Sequence, residues 1–360
     1  MPPEDYRRAL GDLSGEFSGI GAEMGVRNLQ DPDDLEACTT FSDICALVVV
    51  APLDDSPAER AGLRAGDVVL AVDGEPVNGI DLSEAVQRIR GEAGTDVTLT
   101  LRRGEETLEL TITRAEIELR EVTSRMVEPG IGYIALNGFS EPAASQFRDA
   151  LSALIDDGAT SIVFDLRDNP GGYIDAARRI ASEFIEEGVL FTQESSGDEV
   201  RTWEATGDGV ATDSDIEVVV LVNGGSASAS EIVAAALKER ERATVVGQPT
   251  YGKNTVQVWN DLDNGGGVRI TISRWFTPDH NSVAPDGVQP EVVVEVPEGT
   301  PPERDLFLET ALEVLQDRAV GDDEPGESQP ASGLRLPPLA WTDAFEPIGW
   351  DPGGLLRARA

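Results

Sequence analysis

VVVLVNGGSASASEIVAAALKERERATVVGQPTYGKNTVQ, residues 218–257, is the stretch whose pattern decides the class of fold. Val218 to Val222 form an unbroken apolar run, mostly β-branched, which predicts a strand buried on both faces. A small-residue turn follows. Ser230 to Ala243 are then rich in helix formers, with apolar residues at Ile232, Val233, Ala236 and Leu237, and a second strand leads into YGKNTVQ. Ser228 therefore falls at a strand-to-helix junction. A hydroxyl there can stand clear of the backbone, the first helical N–H groups lack intrahelical partners, and the helix dipole favours negative charge. These are the requirements of a nucleophile with an oxyanion site beside it.

A serine hydroxyl needs a base, and the composition offers few. The chain has 28 Lys and Arg together, but Lys238 and Lys253 are its only lysines and His280 its only histidine. His280 lies in TPDHNS, a turn-like segment, where a Ser-His-Asp triad stays open as one reading. Lysine is the other base. Its ordinary pKa of about 10.4 must fall by about 3 units, or about 4 kcal/mol, before much of it is neutral near pH 7, and burial away from carboxylates can do this. Lys238 stands among Glu239, Arg240, Glu241 and Arg242, an ordinary solvated helix end. Lys253 has Tyr251 and Gly252 before it, Thr255 and Val256 after it, and no acid within four residues.

Several motifs in fixed order then point to one family. SASASEI at 226–232 and VVGQPTYGKNTVQ at 245–257, with GYIALNGFS at 132–140, IVFDLRDNPGGYI at 162–174 and a PDZ-like segment before them, resemble the carboxyl-terminal processing peptidases, the S41 family of serine proteases. The resemblance spans residues 12–297. It implies a mixed α/β fold, with a crotonase/ClpP-like protease core preceded by a PDZ-like domain. It also implies Ser228 as nucleophile, Lys253 as general base, Gln257 as the residue orienting that lysine, and oxyanion donors at Ala229 and at Gly171 or Gly172. No cofactor or metal is implied; Asp165 and Asp168 have no further ligand at usable spacing. Two positions depart from the family pattern. Asn254 stands where glycine is usual after the lysine, and Glu239 where some members have aspartate.

Around this core the chain divides into residues 1–16, the remnant of an N-terminal helical region; 17–116, the PDZ-like domain; 117–319, the peptidase core with a terminal helix; and 320–360, an acidic tail expected to be disordered or weakly docked through Trp341, Phe345, Trp350 and Leu355. In the PDZ-like part, backbone N–H groups near Gly19, Ile20 and Gly21 are expected to hold a peptide carboxylate as the peptide adds a strand, with Arg90 reporting that binding. The competing reading makes this module a packing domain and Arg90 a helix-end cation. Cys38 and Cys45, the only cysteines, are expected to form a disulfide if the protein is exported and to be free thiols if it is not. In the core, Ser140 is the predicted N-cap of the helix through Asp157.

The formal net charge of −39 argues against nucleic acid and anionic membranes as partners. It leaves a solubility or saline adaptation, or a preference for basic substrates. The chain as written shows neither signal peptide nor membrane span. Family members begin with an export signal or anchor, so the resemblance implies that Met1 is an internal position and that the full-length form is extracytoplasmic: periplasmic, secreted or membrane-anchored. A homo-oligomer would be weakened by the loss of the N-terminal dimerisation helices. The expected partners are protein or peptide substrates with free C-termini. The function expected is endoproteolysis by a Ser228–Lys253 dyad after PDZ capture. The alternatives are a catalytically silent peptide-binding adaptor and an acyl-CoA enzyme on a crotonase-like core.

Overall fold

Helix α1 (Pro3–Ser14) belongs to the larger of two units, which among the described residues is built from 1–15 and from residue 120 through 321. Its Tyr6 is buried, donates to Asp261 Oδ1 at 2.7 Å and packs its ring 5.3 Å from that of Trp259. The computed structural model describes residues 1, 3–30, 38–196, 199–297, 299–301, 304–321 and 357–359.

The smaller unit starts with β1 (Glu16–Gly19), β2 (Ala22–Asn28), β3 (Cys45–Pro52), the short helix α2 (Pro57–Arg60), β4 (Val68–Val72) and β5 (Glu75–Pro76). Helix α3 (Leu82–Ile89), β6 (Asp96–Arg103), β7 (Glu106–Thr113) and β8 (Ala115–Glu118) complete its continuous part. Strands β2, β3, β4, β6 and β7 pair antiparallel in that order, and β1 pairs with β8. Alternation sets the inward face: Val97, Leu99 and Leu101 of β6 are buried between exposed or half-buried neighbours. Helix α3 adds Ala85, Val86 and Ile89 to the same core, and its N-cap Asp81 accepts from Glu84 N at 2.8 Å. Cys38 and Cys45 are disulfide-bonded, seven residues apart.

The larger unit continues with β9 (Val122–Glu128), β10 (Ile131–Leu136), α4 (Ala143–Asp156), β11 (Ser161–Asp165), α5 (Ile174–Ser182), β12 (Val189–Ser195) and β13 (Val200–Glu204). Then come β14 (Glu217–Val222), α6 (Ala229–Glu239), β15 (Thr244–Gly247), β16 (Thr255–Asp261), β17 (Gly267–Phe276), β18 (Val292–Val293) and α7 (Leu306–Gly321). Its main sheet has the order β18-β15-β14-β11-β10-β9, parallel except for the edge strand β9. The Val218–Val222 run lies in the middle of it. Val218, Val220 and Val222 face a core shared with α4, α5 and α6, while Val219 and Leu221 face a second core against α7. Both faces are covered, which is why the run is continuous and not alternating. A four-stranded antiparallel sheet, β13-β12-β17-β16, completes the unit. A last strand, β19 (Arg357–Arg359), belongs to the smaller unit, where it pairs antiparallel with β2.

Helix α4 differs from its sequence reading. Its N-cap is Pro142, not Ser140. Ser140 is buried with its hydroxyl unbonded, because the chain is still turning there: Glu141 N donates to Leu13 O, and helical backbone angles begin only at the proline. The expected docking residues Trp341, Phe345, Trp350 and Leu355 lie outside the described residues.

Candidate active site

Three turns leave the carboxyl ends of adjacent parallel strands β11, β14 and β15, the place where open α/β sheets put their ligands. The turn after β14 carries Ser226, Ser228 and Ser230. Ser226 Oγ donates to Leu166 O at 2.7 Å and Ser230 Oγ to Asn169 O at 2.8 Å, and both serines are fully buried. The Ser228 hydroxyl, half-buried at the N-cap of α6, donates to none of the described groups. Of the three, only the middle hydroxyl is left for chemistry. Its backbone has φ +58° and ψ −110°, outside the regions a side chain ordinarily prefers, so the surrounding bonds must hold it there.

Asn169, which the sequence reading passed over, supplies many of those bonds. It is fully buried; its Nδ2 donates to Leu136 O, its Oδ1 accepts from Gly171 N, and its carbonyl accepts from both Ala227 N and Ser230 Oγ. Gly171 packs directly on the serine turn. With φ +98°, a Cβ there would lie 2.7 Å from Ala227 O and 2.9 Å from Ala229 N, so only glycine fits. The Gly171 N–H is committed to Asn169, whereas Gly172 is bridged to Phe139 and Ala229 opens the first turn of α6, where backbone N–H groups lack intrahelical acceptors.

Glu231 joins the serine to the lysine. It occupies the third position of α6 and is fully buried. One oxygen accepts from Ser228 N at 2.7 Å and Lys253 N at 2.9 Å; the other accepts from Gly252 N and Thr250 Oγ1, each at 2.6 Å. The two backbones are therefore held within two hydrogen-bond lengths of each other. Four charge-assisted bonds compensate the burial of this carboxylate. Ser228 and Glu231 have capping-box spacing, a signal visible in the sequence but overlooked. No acid lies within four residues of Lys253 along the chain, yet in space Glu231 lies against its backbone.

Lys253 is half-buried, and Trp275 Nε1 donates to its carbonyl oxygen at 3.1 Å. Burial holds its ammonium below the ordinary lysine pKa, the Arg269 cation adds to this, and Glu231 partly opposes it. No hydrogen bond joins Ser228 Oγ to Lys253 Nζ; Glu231 is the link between them. Gln257 lies in β16, and its Nε2 donates to Thr271 Oγ1 at 3.2 Å. Asn254 is buried, with its carbonyl accepting from Trp275 N.

The other titratable candidates lie elsewhere in the unit. His280 is exposed and touches Glu194 at 3.3 Å, Thr192 at 3.4 Å and the Phe276 ring, none of them in the serine turn. Glu239 accepts from Asp279 N and Asn281 Nδ2 and so ties the end of α6 to the His280 loop. Lys238 donates to Gln289 O. In the smaller unit, Gly19 pairs with Ala115, Ile20 O accepts from Ala58 N, Gly21 has φ +74°, and the Arg90 guanidinium lies 4.8 Å from the Phe17 ring centre. Among the described residues no cluster of His, Cys, Asp and Glu is placed to hold a metal ion, and no helix is long and apolar enough to cross a membrane.

Peptidase family S41 matches residues 130–294 and the PDZ domain matches residues 48–103. A photosystem II D1 C-terminal processing protease of known structure is 30% identical, with 87% of this chain and 80% of that chain covered and a TM-score of 0.48. The chain belongs to peptidase family S41. It is also 35% identical over 285 residues to a probable CtpA-like serine protease of Staphylococcus aureus (strain bovine RF122 / ET3-1), covering 79% of this chain and 54% of that protein. A probable CtpA-like serine protease of Staphylococcus haemolyticus (strain JCSC1435) is 35% identical over 298 residues, 83% of this chain and 57% of the other. The chain thus spans little more than half the length of these two relatives. A Bacteroides fragilis NCTC 9343 protein assigned to the S41 proteases shares the fold at 16% identity and a TM-score of 0.52, over 88% of this chain and 91% of that one.

Proposed function

We propose that this S41 chain is a serine endopeptidase that takes protein C-termini at its PDZ domain and cuts peptide bonds through a Ser228–Lys253 dyad and an acyl-enzyme. The observation that carries the proposal is the shared Glu231 carboxylate, which accepts from the backbone N–H of Ser228 and from that of Lys253, a lysine of lowered pKa. Neutral Lys253 takes the proton from Ser228 Oγ as the oxygen attacks the substrate carbonyl carbon. Charge then develops on the carbonyl oxygen, and the N–H groups of Ala229 and Gly172 are the donors suited to it. The amine leaves with the lysine's proton, and the freed lysine deprotonates water to hydrolyse the ester. Gln257, four residues further along in β16, is assigned a supporting role toward Lys253. The Cys38–Cys45 disulfide fits an oxidising, extracytoplasmic compartment.

The decisive experiment is cleavage of an unstructured protein with an apolar C-terminus. Ser228→Ala and Lys253→Ala each abolish turnover while peptide binding to the smaller unit persists, and His280→Ala leaves turnover unchanged. Activity retained in Lys253→Ala removes the proposed base. Binding without cleavage by the parent chain would instead make it an adaptor.

A further inference from the structure

Strand β19 occupies the place in the smaller unit that an added peptide strand would take. It pairs antiparallel with β2, with Arg357 opposite Gly25, Ala358 opposite Met24 and Arg359 opposite Glu23. On its other side β2 pairs with β3, so without β19 the backbone of β2 would be an open sheet edge. The strand also runs alongside α3. Its direction carries it from Gly25 toward Ala22 and the Gly19–Gly21 turn, where an incoming peptide is expected to place its end.

From this pairing we infer that residues 357–359 are an internal ligand of the PDZ domain and compete with substrate for the β2 edge. The inference rests on the reading of that edge as a peptide site. Charge supports this choice of occupant: residues 16–119 hold 22 Asp and Glu against 8 Arg, while the strand brings two arginines and no acid. Covalent attachment supports it as well. A strand carried on the same chain meets its site as an intramolecular partner, so a peptide in solution binds only as far as it displaces the tethered one.

The test measures binding of two fluorescein-labelled decapeptides by anisotropy: residues 351–360 of this chain, DPGGLLRARA, and a peptide ending in three alanines. The hosts are the full chain, the chain lacking residues 357–360, and the full-length Arg357→Glu/Arg359→Glu variant, which sets acid opposite Glu23. The expected result is that DPGGLLRARA binds the truncated chain about tenfold or more tighter than the parent, with the charge-reversed chain close to the truncated one. Amide exchange at residues 23–25 is faster in the truncated chain, independent of protein concentration. Equal affinity of both peptides for all three chains overturns the inference and leaves the peptide site standing. Failure of both peptides to bind any of the chains overturns the peptide site and the inference with it.

Discussion

Glu231 bonds to both halves of the proposed dyad, so its removal should cost more than its absence from the chemistry suggests. Glu231→Ala leaves four donors without their acceptor, and a displacement of about 1 Å between reacting groups costs about 10²-fold in rate. The expected outcome is a fall of about that size in kcat with a smaller change in KM, measured on a chromogenic peptide. The lysine makes a second prediction, in pH. On the proposed mechanism hydrolysis needs the neutral amine, so kcat/KM rises with pH through the Lys253 pKa, which burial and Arg269 lower. Arg269→Gln takes away a cation that disfavours the ammonium; the pKa rises, and the acidic limb of the profile moves to higher pH. A limb that stays in place would mean that another group sets it. At this scale the sequence was half legible. Ser228 and Lys253 could be singled out, one by its junction and the other by elimination. Glu231 was legible only as half of a capping box with Ser228; its bonds to Thr250, Gly252 and Lys253, nineteen and more positions away, were not, nor were those of Asn169 to Leu136 and Ser230.

At the scale of elements, the register of the parallel strands is held where β11 meets α7. Arg167 donates to both oxygens of Asp165 and both of Asp305, and Tyr133 on β10 donates to Asp165 Oδ2 at 2.7 Å. Burial works to raise the Asp305 pKa, but the Arg167 bonds outweigh it and hold the carboxyl below its ordinary value. The Tyr133 hydroxyl is pushed up by burial first and by Asp165 second. Arg167→Met leaves a largely buried carboxylate unpaired, a change that costs about 3–5 kcal/mol, measured by urea denaturation. The sign with pH follows. A carboxyl with depressed pKa contributes stability above its unfolded pKa and loses it as pH falls through the folded value. The deficit of Arg167→Met is therefore largest near neutrality and narrows in acid. Strand identities were legible from the continuous Val218–Val222 run and the alternating β6. The start of α4 was not, since a serine two residues ahead of a proline carries the same cap signal whether or not the chain is still turning there.

At the scale of the whole molecule, the two units should respond differently to reductant. The Cys38–Cys45 bridge closes a short loop in the smaller unit only, and such a bridge contributes about 2–3 kcal/mol. Calorimetry with and without dithiothreitol should lower the midpoint of one transition and leave the other where it was. The change from antiparallel alternation to strand-helix alternation falls near Arg120, where the larger unit resumes. The sequence left the final residues to a loosely held tail, since three residues with two arginines carry no strand signal until a partner edge is known.

The Glu231 cradle also implies an order of assembly. Thr250, one of its four donors, itself accepts from Val288 N at 2.7 Å, a residue 38 positions further along the chain. A growing chain that has released Ser228 and Lys253 but not Val288 lacks that support, so on the proposed mechanism the dyad is braced only after the segment around Val288 has emerged and docked.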